Sequence, residues 1–596
     1  MTHVLAVAWA PCERARVGPA WDAAGRVARR WHPMADMEPV RVWAPRASRV
    51  DLVIGDRRAP MAQEAGGWFR GPALDLGVDY ALSLDGGPPR PDPRSRWQPH
   101  GVGRPSRAVE SLPPPALGAR PVPLRDALIY ELHVGTFSPS GTFSGAIPHL
   151  PALVELGVTH VELMPIAQFP GTHGWGYDGV HLFAAHAAYG GPAALRALVA
   201  ECHQLGLAVL VDVVHNHFGP EGDFTSELGP YKTDRYQTPW GDAINLDGDG
   251  SREVRRFLID SALAWLRDYG ADGLRLDALH SLRDRSERRF VAELVDEIRS
   301  LERALGRTFA VIGEYDDHDP RAVQPRPGGW GLDAHWNDDF HHAVHALLTG
   351  ETAGYYGDFA APGTLAKVLE QGYALDGGFS PFRGAAHGAP FGALPRDRLV
   401  AYTQSHDQVG NRAAGERLHQ LAGLDRARIA AALLFASPFV PMLFQGEEWA
   451  ASTPFCYFCD FESPALRAAV REGRRAEHAA AGWQLPEPDP TDPATRDASV
   501  LRWEEREDGD HARMLAWYRQ LAALRRTHAS LRDPSPGGTR VRQQGAVLEV
   551  ERGELVLVAN LGDGPARLPG GEVLAASSPM ASARELPPRS CALAQR

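Results

Sequence analysis

At 596 residues the chain exceeds one ordinary domain of about 100–200 residues, whereas a barrel of alternating strands and helices can use about 250 alone, so one large domain with appendages is expected. Hydrophobic residues at 44% and charged residues at 23% exclude disorder as the main theme and allow a large core. A net charge of −12 argues against nucleic acid or an anionic membrane as the main partner, because an acidic surface repels both, and leaves a neutral substrate unaffected. The cysteines, Cys12, Cys202, Cys456, Cys459 and Cys591, are an odd, scattered set that suits a reducing cytoplasm better than a disulfide framework. Cys456-Tyr457-Phe458-Cys459 has the spacing of half a zinc site, but no second Cys/His pair accompanies it, and no metal or cofactor is expected. The apolar segment Val4 to Ala10 lacks a basic start and is too short to span a bilayer, so neither export signal nor anchor is expected.

In chain order, residues 1–35 form an extension rich in Ala and Arg with no readable pattern. From Val40-Arg41-Val42-Trp43 the sequence becomes alternating and turn-punctuated, with Val50, Leu52 and Ile54, a turn at Gly66-Gly67 and a strand at Tyr80 to Leu84. This predicts an N-terminal β-sandwich over 36–110. Pro88 to Pro93 and Pro113 to Pro115 resist helix and central strand and mark a linker. From Ala127 short apolar runs alternate with helical Ala/Leu-rich segments, the pattern of a parallel sheet covered by helices. The runs Leu128–Glu131, His160–Leu163, Leu207–Val211, Gly273–Leu276, Ala310–Ile312, Val400–Tyr402 and Pro441–Phe444 nearly fill a (β/α)8 TIM barrel, an α/β fold, placed at 111–535. Helices are predicted over 193–205, 252–269 and 287–305. The stretch 337–398 is too long for a simple connection and predicts a helical insertion over the barrel mouth. After a Pro-rich break at 486–493 and a helix over 512–527, alternation returns at Ala546–Val550 and Leu555–Val558, predicting a small C-terminal β-sandwich over 536–596.

Three carboxylates stand where barrel enzymes place their chemistry, at or after strand ends: Asp277 after Gly273-Leu274-Arg275-Leu276, Glu314 after Val311-Ile312-Gly313, and Asp407 after Leu399 to Tyr402. Retaining cleavage of a glycosidic bond needs one carboxylate as nucleophile and a second as acid and then base, roughly 5 Å apart. Arg275 and Asp277, two residues apart on a strand, point to one face, and a guanidinium there favours the ionised form that an attacking carboxylate must keep. A structural ion pair is the plainer reading, weakened by the cost of burying two charges without a task. Partial burial of Glu314 would favour the protonated form a general acid needs. The cluster Asp212-Val213-Val214-His215-Asn216-His217 suits recognition of sugar hydroxyls, with metal ligation as its alternative. Gly174-Trp175-Gly176-Tyr177-Asp178 offers aromatic faces for a pyranose, with core packing of Trp175 as its alternative. Trp240, Trp336 and Trp449 carry the same ambiguity among 15 tryptophans.

With those residues in place, the chain resembles the α-amylase superfamily, family 13 of the glycoside hydrolases. Asp212 to His217, Gly273 to His280, Gly313-Glu314 and His406-Asp407 match its four signature regions in order. The resemblance implies Asp277 as nucleophile, Glu314 as acid/base and Asp407 as the group that holds sugar hydroxyls and stabilises the transition state. It also implies Arg275, His217 and His406 as contacts to the sugar being cleaved, with Tyr177 stacked beneath it. Asp212, Trp175 and His280 complete the expected sugar-binding set. Ile129 to Phe137, Gly174 to Gly179, Trp336 to His342, Leu348 to Glu351, Gly354 to Tyr356 and His406 to Arg412 make the chain look like the trehalose-releasing branch of that superfamily. That likeness implies hydrolysis of the α-1,4 bond next to the terminal trehalose of maltooligosyltrehalose, in a pathway with a maltooligosyltrehalose-forming synthase. Branching and debranching enzymes of glycogen are the nearest alternative, and a non-catalytic glycan-binding protein is the alternative from another class. Readers of the trehalose end are expected around Trp240, Asp338, Asp339 and Glu351. His215, Ser405 and Tyr315 depart from the family pattern, and Asn216 matches a position that binds calcium in many amylases, a ligand not carried over here.

Overall fold

The computed structural model describes residues 39–110, 122–480, 488–582 and 584–596. The extension 1–35, with Cys12 and the apolar Val4–Ala10, the triple proline at 113–115 and part of the break at 486–493 lie outside the described residues. Eight parallel strands close into a barrel in chain order: β1 (Ile129–Leu132), β2 (His160–Leu163), β3 (Ala208–Val213), β4 (Gly273–Leu276), β5 (Ala310–Gly313), β6 (Ala334–Trp336), β7 (Leu399–Tyr402) and β8 (Val440–Phe444). Almost every strand residue is buried, because side chains face either the barrel interior or the surrounding helices, and this is why the strands read as continuous apolar runs. β6 was not among the expected strands. It has only three residues, Ala334, His335 and Trp336, too few to show a pattern, and it is held by pairing with β5 and β7.

The helices α1 (Gly191–Gln204), α2 (Ser251–Arg267) and α3 (Phe290–Leu305) cover the barrel and lie within three residues of the predicted spans. In α3 the buried Phe290, Val291, Leu294, Val295 and Ile298 form one stripe, and Gly306 ends it in the left-handed conformation at φ 65°. The insertion after β6 holds α4 (Asp338–Thr349), a helix at Thr364–Gln371 and a hairpin of Asp376–Ser380 with Ala385–Gly388. Inside the barrel an apolar layer of Ile129, Leu210, Ile312, Trp336, Val400, Tyr402 and Met442 carries the charged layer at the strand ends.

Ahead of the barrel are two antiparallel sheets, Pro39–Trp43 with Trp68–Ala73 and Ala62–Gln63, and Arg57–Pro60 with Val50–Ile54, Asp79–Leu84 and Ser106–Arg107. Arg94 ties this part to α2 through Asp260 at 2.8 Å. After α5 (Leu424–Ala436) and α6 (Gly509–Thr527), a five-stranded antiparallel sheet begins at Thr539. One of its faces, Leu548, Val550, Leu557 and Leu593, joins the main core, and the other, Val556, Val558, Ala592 and Ala594, packs on Leu568 and Leu586.

Candidate active site

Arg275 organises the mouth of the barrel. It lies on β4 in register with Asp212 on β3 and Ile312 on β5, and its guanidinium, 1% exposed, rests over the Trp336 ring at 4.3 Å. Nη1 donates to Asp212 Oδ2 and to Asp277 Oδ1, both at 2.7 Å, and Nη2 donates to Glu314 Oε2 at 2.8 Å. One cation therefore joins three carboxylates from three consecutive strands. Asp277 extends β4, its N–H donating to Val213 O, and its second oxygen accepts from Asn216 Nδ2 at 2.6 Å. The chain then turns sharply: Ala278 has φ 41° and ψ 52°, which for a residue with a Cβ costs about 1 kcal/mol. The turn aims the Ala278 N–H at Glu314 Oε2, 2.9 Å away. Glu314 is thus held at Oε2 by two donors rather than lying in an apolar recess.

Asp407 enters from the loop after β7, where Ser405 begins a short helix at His406–Gly410. Asn411 holds Asp407 Oδ1 at 2.6 Å; burial pushes this carboxyl up, with the neighbouring His406 opposing and Glu314 adding to the rise. His406 Nε2 meets the Tyr177 hydroxyl at 2.9 Å, and that hydroxyl donates to Asp212 Oδ2 at 2.8 Å. Burial pushes Asp212 up to about 7 against the pull of Arg275. His217, kept neutral by burial with its imidazole pushed down to about 4, pairs with Asn216 Oδ1 and stacks on Trp240 at 4.5 Å and 6°. Trp240 is 48% exposed near the tip of the hairpin Lys232–Thr238 with Gly241–Ile244.

Of the expected site residues, Asp277, Glu314, Asp407, Asp212, Tyr177, His217, Arg275 and His406 thus form one connected group. His280 borders it, on the turn after Asp277, with its Nδ1 facing the Asp316 N–H at 3.5 Å. Asp338 lies beside it as well: the Tyr402 hydroxyl donates to it, and burial with the charge of Glu314 pushes its carboxyl up to about 7.

Other candidates sit elsewhere. Trp175 is packed, not presented: its ring lies against Phe455 at 5.3 Å and its Nε1 donates to Cys456 O. A Cβ on Gly410 would come within 2.0 Å of that ring, so only glycine admits it. Asp339 is wholly buried and tied to His318 Nε2 at 2.9 Å and to the N–H groups of Ala374 and Leu375, bracing the insertion. Glu351 is bound by His345 and Arg412. Trp336 serves as the floor for Arg275, and Trp449 is fully buried. Tyr315, next to Glu314, turns away to pack on Trp330.

Sequence reasoning missed Glu131, which lies one residue before the end of β1 and grips His406. It also missed the role of Asn216, which orients Asp277. The signal for Glu131 was present, a carboxylate closing an apolar run, the same signal that marked Asp277. Ligand atoms of Asp316, His318 and His387 lie within 4.8 Å of one another. Arg383 already occupies both oxygens of Asp316, and His318, held up to about 9 by Asp339 in spite of burial, is itself a cation, so this cluster does not fit a metal ion.

The family described as alpha amylase, catalytic domain, matches residues 117–240, and a domain of unknown function, DUF3459, matches residues 534–593. The malto-oligosyltrehalose trehalohydrolase of Arthrobacter ramosus is 47% identical over 557 residues, covering 90% of this chain and 95% of that protein. That of Mycobacterium tuberculosis (strain ATCC 25618 / H37Rv) is 44% identical, covering 91% and 96%. A 1,4-alpha-glucan branching enzyme of Bordetella pertussis is 30% identical over 54% of this chain and 44% of its own length. Among solved structures, a Salmonella typhimurium protein named as an alpha amylase superposes with a TM-score of 0.87 at 38% identity, covering 95% of this chain and 99% of that one. A pullulanase of Anoxybacillus sp. LM18-11, complexed with maltotetraose, shares the fold at a TM-score of 0.68 and 19% identity, covering 97% and 88%.

Proposed function

The chain belongs to the malto-oligosyltrehalose trehalohydrolases of the α-amylase superfamily, and from that premise we propose that it hydrolyses the α-1,4 bond beside the terminal trehalose with Asp277, Glu314 and Asp407 as its working carboxylates. Asp277 attacks the anomeric carbon, forming a covalent glycosyl ester as the bond to the trehalose oxygen breaks. Glu314 gives that oxygen its proton. Water then attacks the same carbon, Glu314 takes the water's proton, and the ester bond to Asp277 breaks to release a maltooligosaccharide. Asp407, with its Oδ2 unoccupied by any donor among the described residues, holds sugar hydroxyls as the ring flattens. The observation that carries this reading is the single guanidinium of Arg275 bonded at once to Asp277 and Glu314, with Asn216 fixing the other oxygen of Asp277.

Recognition of the trehalose end is assigned to the rim. The large aromatic side chains that are exposed among the described residues are Trp240, Phe379 and Phe382, on the two hairpins that stand beside the site. Arg383 anchors the second hairpin to Asp316, two residues beyond Glu314. Apolar rings with one free face suit the apolar faces of a sugar. The substrate implies an earlier enzyme, a synthase that forms maltooligosyltrehalose. Among the described residues no helix is long and apolar enough to cross a membrane, and the described cysteines are buried thiols, which supports a cytoplasmic setting. The division of the chain at 110/111 and 535/536 belongs to the same reading.

Incubation of the pure protein with maltotriosyltrehalose should release trehalose and maltotriose in equal amounts, the maltotriose first appearing as its α-anomer by proton NMR. Absence of trehalose, or a shift in the iodine staining of glycogen instead, would refute the assignment in favour of a branching or debranching activity.

A further inference from the structure

Glu131 is 1% exposed near the end of β1, and both its oxygens serve one residue. Oε2 accepts the backbone N–H of His406 at 2.9 Å, and Oε1 faces His406 Nδ1 at 2.5 Å. On the other side of the ring, Nε2 faces the Tyr177 hydroxyl at 2.9 Å. A hydroxyl has one proton, and that of Tyr177 goes to Asp212 Oδ2, an oxygen already accepting from Arg275. His406 Nε2 must therefore bring its own proton to Tyr177, as Nδ1 must bring one to the carboxylate of Glu131. An imidazole protonated at both nitrogens is a cation.

We propose that Glu131 is a positioning residue that keeps His406 an imidazolium during turnover and, through the backbone grip, fixes the segment that carries Asp407. This rests on the reading above in which His406 and Asp407 hold the sugar. The groups that face His406 are Glu131 from β1, Tyr177 from the loop after β2 with Asp212 behind it, Arg275 from β4, Asp407 from its own helix and His133 just after β1, which burial pushes down to about 3 and so keeps neutral; the rings of Trp175 and Trp336 are uncharged. Burial opposes the charge, Glu131 and Asp407 support it, Arg275 opposes it, and the balance lifts the imidazole above its ordinary value. Glu162, opposite Glu131 in register on β2, is buried with Oε2 unpartnered. Burial and the charge of Glu131 hold Glu162 well above the usual carboxylate range, so Glu162 is the neutral member of the pair, while both oxygens of Glu131 face N–H groups of His406.

Glu131→Gln in the full chain keeps the shape and removes the charge. The alkaline limb of kcat/KM should move down by at least about one pH unit toward the ordinary imidazole range, a loss of about tenfold or more at pH 8 with little change at pH 5.5. Glu131→Asp, which keeps the charge, should restore part of that limb. A uniformly slower enzyme with an unshifted profile would overturn the proposal. Independently of any variant, nitrogen-15 NMR of histidine-labelled wild type should show both ring nitrogens of His406 protonated at pH 7.5, and a neutral ring there would also overturn it. Failure of wild type to release trehalose would instead count against the proposed reaction and leave the NMR result standing.

Discussion

The two ends of the barrel handle charge in opposite ways. Where strands begin, Asp272 before β4 has one oxygen on Arg307 and the other on His203 and the Val209 N–H, each at 2.8 Å. Asp333 before β6 has both oxygens on Arg299 at 2.8 Å and accepts the Val311 N–H as well. These two acids are matched almost one to one with cations, whereas Asp397 before β7 has Oδ1 buried without a hydrogen-bond partner and only the nearby charges of Arg398 and Arg125 to offset its burial. Where the strands end, Arg275 serves Asp212, Asp277 and Glu314 together, and Asp212 Oδ1 is buried without a partner. Unbalanced buried charge costs several kcal/mol per group, so a fold keeps it only where something uses it. A carboxylate at a strand terminus is therefore informative by its deficit of partners, not by its position alone.

That contrast can be broken or sharpened by substitution. Asp277→Asn should leave a folded protein and lower kcat by about 10⁴-fold or more, read as trehalose release from maltotriosyltrehalose beside an unchanged circular dichroism spectrum. At the matched end, Asp272→Ala should do the reverse. Leaving Arg307 and His203 unpaired costs about 3–5 kcal/mol of stability, visible in denaturant melts, with kcat/KM of the folded fraction within about twofold of wild type.

The Asp339–His318 pair in the insertion extends the comparison to pH. Burial opposes both charges, yet Asp339 holds His318 up to about 9 and His318 holds Asp339 down to about 2. The histidine's contribution is complete below its ordinary 6.5 and is lost as pH rises through about 9; the aspartate's is present above its ordinary 3.8 and is lost as pH falls toward about 2. Asp339→Asn should thus lower Tm most near pH 5–6, and the gap to wild type should close above about pH 9; a gap independent of pH would assign the pair no electrostatic role. The smallest effect is expected at the rim, where Trp240→Ala should raise KM about three- to tenfold and change kcat less than twofold, measured on the same substrate.

The barrel was legible because strands buried on both faces are apolar runs, and the carboxylates proposed to do the chemistry were legible because they interrupt that rule. β6 escaped notice because Ala334, His335 and Trp336 are too few to make a run, and its existence depends on neighbours that pair with it. Asp277 ends a run as Glu131 nearly does, but only the folded chain shows that Glu131 faces His406. Asp338 and Asp339 are adjacent in sequence and were read together, yet successive residues of a helix point about 100° apart. One consequently lies beside Glu314 and the other in the body of the insertion. Trp175 and Trp240 could not be separated in sequence because the packing that buries the first, Phe455 and Cys456, comes from a segment nearly 300 residues away.

Three acids around one guanidinium also set a preference among small molecules. With Glu314 holding the proton it gives up and the charges of Glu131 and His406 cancelling each other, Arg275 still faces Asp212, Asp277 and the nearby Asp407, and the flattened, positively charged ring of the reaction's transition state is the species that this acidic floor favours. An iminosugar that carries a permanent proton at the ring position should therefore be held far more tightly than a neutral lactone of the same shape. Inhibitor selection at this site follows charge first and ring geometry second.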